Sequence, residues 1–224
     1  MKRIFAISDG GFRPNDKRID QACVALLKKE HPKVLLLTQA LEPPYVSSAS
    51  LNNYAEQFHK RYRDELGCET DVLKTVDNIS PEDIREKILS ADAVYVAPGH
   101  VPNMMARMHQ FGIDSVLKEA YEKGILMAGL SAGAMCWFKP NLGFIDKEFH
   151  PHYPTFTSYD PDYKRVSGYV ATDGIAALFL DGKIGQIVKA DADAELHYFG
   201  LDETGKRTHC RVDTILEQRG NTKQ

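Results

Sequence analysis

The string Gly129-Leu130-Ser131-Ala132-Gly133 has the G-x-S-x-G spacing that suits a nucleophile held at a tight turn. Within two positions of the serine every neighbour except Leu130 is glycine or alanine, so the backbone can bend sharply without a clash. The apolar run Ile125-Leu126-Met127-Ala128-Gly129-Leu130 precedes it, and a helix is expected to follow. That order puts the hydroxyl at the carboxyl end of a strand, where open α/β sheets take their ligands. It also aims the Ala132 amide, at a helix start, toward an oxyanion formed on attack. The chemistry suggested is acyl transfer. A serine hydroxyl is a poor nucleophile near neutral pH until a base removes its proton. His150 and His152 stand two residues apart, so in a regular strand both would point to one face, although Pro151 lies between them. Cys136, one helical turn past Ser131, reads as a packing residue.

The elements that must position these groups alternate along the first 140 residues. Lys33 to Thr38 and Ala93 to Ala97 are continuous apolar runs, as expected of parallel strands covered on both faces. Ile19, Ala22, Cys23, Leu26 and Leu27 form one helical stripe, and a second helix is predicted from about Leu51 to Leu66, stopped by Gly67. Ser80-Pro81-Glu82-Asp83 is a helix start, and Asp114 to Lys123 a helix closed by Gly124. Repeated β-α units predict a mostly parallel sheet between helix layers, in one domain over residues 1–224. Later the pattern changes. Ile175 to Leu180, Asp181-Gly182 and Ile184 to Val188 read as a hairpin. Glu195 to Phe199 and Thr208 to Ile215, joined through Gly205, read as another, so antiparallel strands should be added near the C-terminus.

Composition narrows the classes. A net charge of −3 over 224 residues argues against nucleic acid as a partner, which needs a basic surplus. No apolar run approaches the roughly 18 residues of a membrane span. Met1 to Ser8 reads as a first strand rather than a signal peptide. The four cysteines are scattered, without zinc-ribbon spacing, which suits a cytoplasmic location.

Gly129 to Cys136 (GLSAGAMC), with Phe111 to Asp114 and Ala120 to Gly124, resembles the dipeptidase E family of serine peptidases, the α-aspartyl dipeptidases related to cyanophycinase. The likeness continues through Ala91 to Val96 and Phe149-His150-Pro151-His152-Tyr153. It implies a three-layer α/β/α fold similar to class I glutamine amidotransferases, with serine in place of the cysteine nucleophile. The resemblance further implies Ser131 as nucleophile, His152 as base and Asp173, in Thr172-Asp173-Gly174, as third member, with Asp146 a second candidate. Gly99 and Asn103, in Pro98-Gly99-His100-Val101-Pro102-Asn103, match the family's Gly-Gly-Asn loop and would supply oxyanion contacts beside Ala132. Arg165 falls where the family tends to keep an arginine for the substrate's acidic side chain. The segment Trp137 to His152 is shorter than the family's usual one. The activity implied is hydrolysis of short peptides, dipeptides with N-terminal aspartate among them, through an acyl-enzyme and without cofactor or metal. The partner is then a small peptide, with no nucleic acid or membrane, and a homodimer is left open.

Two rivals share these features. An α/β-hydrolase esterase would use the same turn but a late histidine, His197 or His209. A catalytically inactive relative would keep the pocket as a binding module.

Overall fold

The strands alternate between two cores. In β1 (Arg3–Ile7) Ile4 and Ala6 join one apolar cluster while Phe5 and Ile7 join another; in β2 (Lys33–Leu37) Leu35 and Leu37 face the first, Val34 and Leu36 the second. Successive side chains point to opposite faces, so a strand apolar at every position needs cover on both sides. The computed structural model, which describes residues 1–153 and 167–212, supplies that cover. On one face lie α1 (Arg18–Ala25) and α2 (Ser48–Phe58). On the other lie α3 (Pro81–Leu89), α4 (Val101–Gln110), α5 (Ile113–Glu122) and the short α6 (Ala132–Met135).

With β3 (Glu69–Leu73), β4 (Ala93–Val96), β5 (Leu126–Leu130), β8 (Ile175–Leu180) and β9 (Lys183–Lys189), these strands form a seven-stranded sheet ordered β3-β2-β4-β5-β1-β8-β9. The first five are parallel; β8 runs antiparallel to β1, and β9 to β8. This is the expected α/β architecture with antiparallel strands added late.

One expectation needs correction. The strands β10 (Leu196–Leu201) and β11 (Arg207–Arg211) do not extend the main sheet. With β6 (Glu148–Tyr153) and β7 (Gly168–Thr172) they form a separate four-stranded sheet ordered β11-β10-β7-β6. Phe149, Ala171 and Leu196 bury that sheet against the helix layer of α3 to α6. The short segment after Trp137 is filled rather than open: Trp137, Phe138 and Ile145 are buried, and Phe144 stacks between Tyr121 and Trp137.

Two further differences have local causes. The helix expected to Leu66 widens to a π-helix over His59–Glu65, which turns both Arg61 and Tyr62 inward, the former onto buried Asp20 at 2.8 Å. The prolines around Gly99 suggest a loop, yet α4 begins at Val101. Pro102 sits in its first turn, where the missing N–H costs nothing, and the His100 ring accepts the Asn103 N–H as cap. Among the described residues no helix is long and apolar enough to cross a membrane.

Candidate active site

Ser131 follows β5 and precedes α6 with φ 55° and ψ −113°, a conformation that glycine adopts freely and serine at a cost. The flanking glycines explain how the turn closes. A Cβ at Gly129 would lie 2.2 Å from the Gly133 carbonyl oxygen, and one at Gly133 would lie 2.1 Å from that of Val96. The turn is therefore pressed against the end of β4, with no room for larger side chains. The Ser131 N–H donates to the Ile7 carbonyl at 2.9 Å, fixing the turn to β1 as well. Ala132 opens α6, so its N–H has no carbonyl one turn back within the helix.

The other two groups come from the second sheet and its junction with the first. The His152 Nε2 lies 2.7 Å from Ser131 Oγ, and its Nδ1 lies 2.6 Å from Asp173 Oδ1. A carboxylate can only accept, so Nδ1 carries the ring proton and Nε2 presents its lone pair to the serine hydroxyl. Asp173 stands in the turn from β7 to β8. Its neighbour Gly174 has φ 76°, and a Cβ there would meet Asp191 Oδ2 at 2.1 Å. Ser131, His152 and Asp173, three residues named from the sequence, thus form one continuous hydrogen-bonded chain.

His150 does not join them. It bonds Glu148 at 2.8 Å, because the alternation of β6 breaks between the two histidines. The pairing of β6 with β7 is regular to His150 and resumes at Tyr153; His152 itself is left-handed, with φ 63°. Asp146 is also elsewhere, exposed and paired with Lys139 at 2.5 Å, a cation that holds its carboxyl below the usual range. His197 and His209 face one another at 2.9 Å across β10 and β11, so neither serves Ser131 as the esterase order would require.

Gly99 lies in the loop between β4 and α4 with φ 139°, and a Cβ would come within 2.3 Å of the Ala40 carbonyl oxygen. Asn103 is a correction. Its side-chain nitrogen donates to the carbonyls of Gln39 and Glu42, each at 3.0 Å, so it ties the β2 and β4 loops together instead of facing an oxyanion. Arg165 lies outside the described residues. Cys136 is buried, its Sγ 3.0 Å from the Gly133 carbonyl, and burial pushes the thiol well above its ordinary pKa. Ser8 was not legible in the sequence as a site residue. It is fully buried at the end of β1, and its Oγ accepts the His152 N–H at 3.0 Å.

A serine at a strand-to-helix turn on a three-layer α/β fold defines a class of hydrolase scaffold, and solved structures share the fold. A peptidase from an acI-B1 Actinobacterium superposes with a TM-score of 0.71 at 18% identity, covering 94% of each chain. A protein of Listeria monocytogenes that carries the name peptidase E superposes with a TM-score of 0.67 at 18% identity, covering 85% of this chain and 100% of that one. Among curated proteins, an uncharacterized peptidase of Bacillus subtilis, YgaJ, is 29% identical over 88% of this chain and 91% of its own. Residues 4–141 match the sequence model of peptidase family S51, and the chain belongs to that family of serine peptidases.

Proposed function

We propose that the protein hydrolyses short peptides through an acyl-enzyme, with Ser131 as nucleophile, His152 as general base and Asp173 as the acid that orients it. The observation that carries this reading is the chain Ser131 Oγ to His152 Nε2 at 2.7 Å and His152 Nδ1 to Asp173 at 2.6 Å. In the first step Ser131 Oγ bonds to the scissile carbonyl carbon while its proton moves to Nε2. The carbonyl oxygen becomes an oxyanion, which the Ala132 N–H is suited to receive, with the Gly99 backbone as the second donor. Each such donor contributes about 10²- to 10³-fold to kcat in serine peptidases. The imidazolium then gives its proton to the departing amine, and Asp173 stabilises the charge meanwhile. Water, activated by the same ring, releases the acyl group.

Dipeptides with N-terminal aspartate are the substrate class we infer, with Arg165 pairing with the aspartyl carboxylate as a bidentate fork would. A dipeptide panel of Asp-X, Glu-X, Asn-X and Ala-X, with N-blocked versions, tests both levels. Ser131→Ala should lower turnover on the order of 10⁴-fold or more. His152→Ala should lose acylation by a fluorophosphonate as well as turnover, whereas His150→Ala should keep both. Arg165→Ala should depress Asp-X hydrolysis about 10-fold or more while leaving Ala-X nearly unchanged. Full activity of Ser131→Ala would end the serine assignment; equal rates on Asp-X and Ala-X in the natural protein would end the aspartyl one.

A further inference from the structure

We propose that Ser8 is a positioning residue for the His152 imidazole, an inference that rests on the roles proposed for Ser131 and His152. The hydroxyl sits where the two sheets meet. Its oxygen accepts the His152 N–H at 3.0 Å and its proton is directed to the Ala171 carbonyl at 3.3 Å. Both contacts are to the segments that carry base and acid, since Ala171 lies two residues before Asp173. The backbone of the same stretch completes the junction. Ser8 N–H donates to the Ile175 carbonyl at 2.9 Å, and the preceding Ile7 carbonyl accepts the Ser131 N–H at 2.9 Å. One dipeptide, Ile7-Ser8, is therefore bonded to the segments bearing all three groups.

The side-chain contact has a specific task. The ladder of β6 on β7 skips His152, whose backbone is left-handed, and its N–H donates to the Ser8 oxygen. Left-handed backbone in a residue with a Cβ persists only when its surroundings over-determine it. The Ser8 hydroxyl, fully buried and itself oriented by Ala171, is such a determinant. Without it the imidazole can turn relative to Ser131 Oγ, and small misplacements of a catalytic group are costly to rate.

Ser8→Ala removes one oxygen and leaves the carbon skeleton in place. The expected result is a kcat about 10- to 100-fold lower, with KM changed by no more than about two-fold. The second readout needs no substrate. In protein labelled with ¹⁵N-histidine, the far-downfield proton of His152 Nδ1, held by Asp173, should shift or broaden in Ser8→Ala. Ser8→Cys, which fills the space with a weaker acceptor, should fall between the two and serves if the alanine variant does not fold. An unmoved resonance overturns the inference, whether or not kcat falls, because a ring held through Ser8 cannot keep its environment once the hydroxyl is gone. An unchanged kcat in a folded variant overturns it too. If Ser131→Ala keeps full turnover, the peptidase role of Ser131 fails separately, and the resonance still decides whether Ser8 holds the ring.

Discussion

Ser131 and His152 both carry positive φ, 55° and 63°, a region that residues with a Cβ enter only at a cost. The geometry that lines them up is thus maintained against local preference. Its cost can be read directly at Ser131, where the hydroxyl's chemistry and the backbone's comfort are separable. Ser131→Gly should be inactive and yet more stable than the natural protein by about 1–2 kcal/mol, since glycine adopts such angles without strain. Urea denaturation of the two proteins checks this, and a glycine variant less stable than the serine form would show that the turn is not strained. The residue scale is also where the sequence was most informative. Gly129, Ser131 and Gly133 announce a tight turn through their own sizes. His152 could be separated from His150 only by resemblance, because the bend that splits them is imposed by packing with β7 and Ser8. A serine ending a strand, as Ser8 does, has no signature of its own.

The elements behind the site are fastened by buried charge as well as by apolar contact. In the loop from β1 to α1, Phe12 packs among Tyr54, Phe58, Tyr62 and Tyr95, and its N–H donates to the Asp20 carboxylate at 3.1 Å. Arg61 and Tyr62 reach the same carboxylate from the π-helical turn. Burial nevertheless wins at Asp20 and pushes its pKa up to about 6 from 3.8, against the pull of the Phe12 N–H and Arg61. The sign follows. Between those values the folded chain holds a proton that the unfolded chain has released, so stability from this group is greatest below the lower value and declines as pH rises through about 6. The decline amounts to about 3 kcal/mol at most, and Asp20→Asn should flatten that part of the profile. Denaturation midpoints measured across this range decide it; an unaltered slope in the variant would assign the dependence to other groups. These elements were partly legible. Apolar strands such as β2 declare themselves, whereas β3 begins Glu69-Thr70-Asp71 at the sheet edge and has no apolar run to announce it. The start of α4 was hidden by Pro98 and Pro102, which mark a turn and a helix N-terminus with the same residue type.

At the scale of the whole molecule the candidate site spans a seam. Ser131 stands on the seven-stranded sheet, His152 on the four-stranded one, and Asp173 on the turn between them. The main sheet is enclosed on both faces, while β11 is exposed along much of its length. Hairpin pairing alone revealed β10 and β11 in the sequence but not which sheet they enter, because register and strand order depend on contacts distant in the chain. Activity should therefore disappear at a lower urea concentration than the far-ultraviolet circular dichroism of the bulk of the fold. Superimposable curves would mean that the two sheets unfold as one cooperative unit.

The same arrangement offers an optical handle. The four cysteines are unpaired, and Cys23, Cys68 and Cys136 are buried, whereas Cys210 is exposed on β11. Burial raises the thiols of all three inner cysteines, so they present little thiolate to a reagent. A maleimide dye added to the folded protein should attach once, at Cys210, and mass spectrometry after digestion should find it there. A fluorophore at that position reports on the histidine-bearing sheet without any substitution in the chain. Its anisotropy, followed while a fluorophosphonate reacts, would show whether that sheet stiffens when the Ser131 hydroxyl is modified.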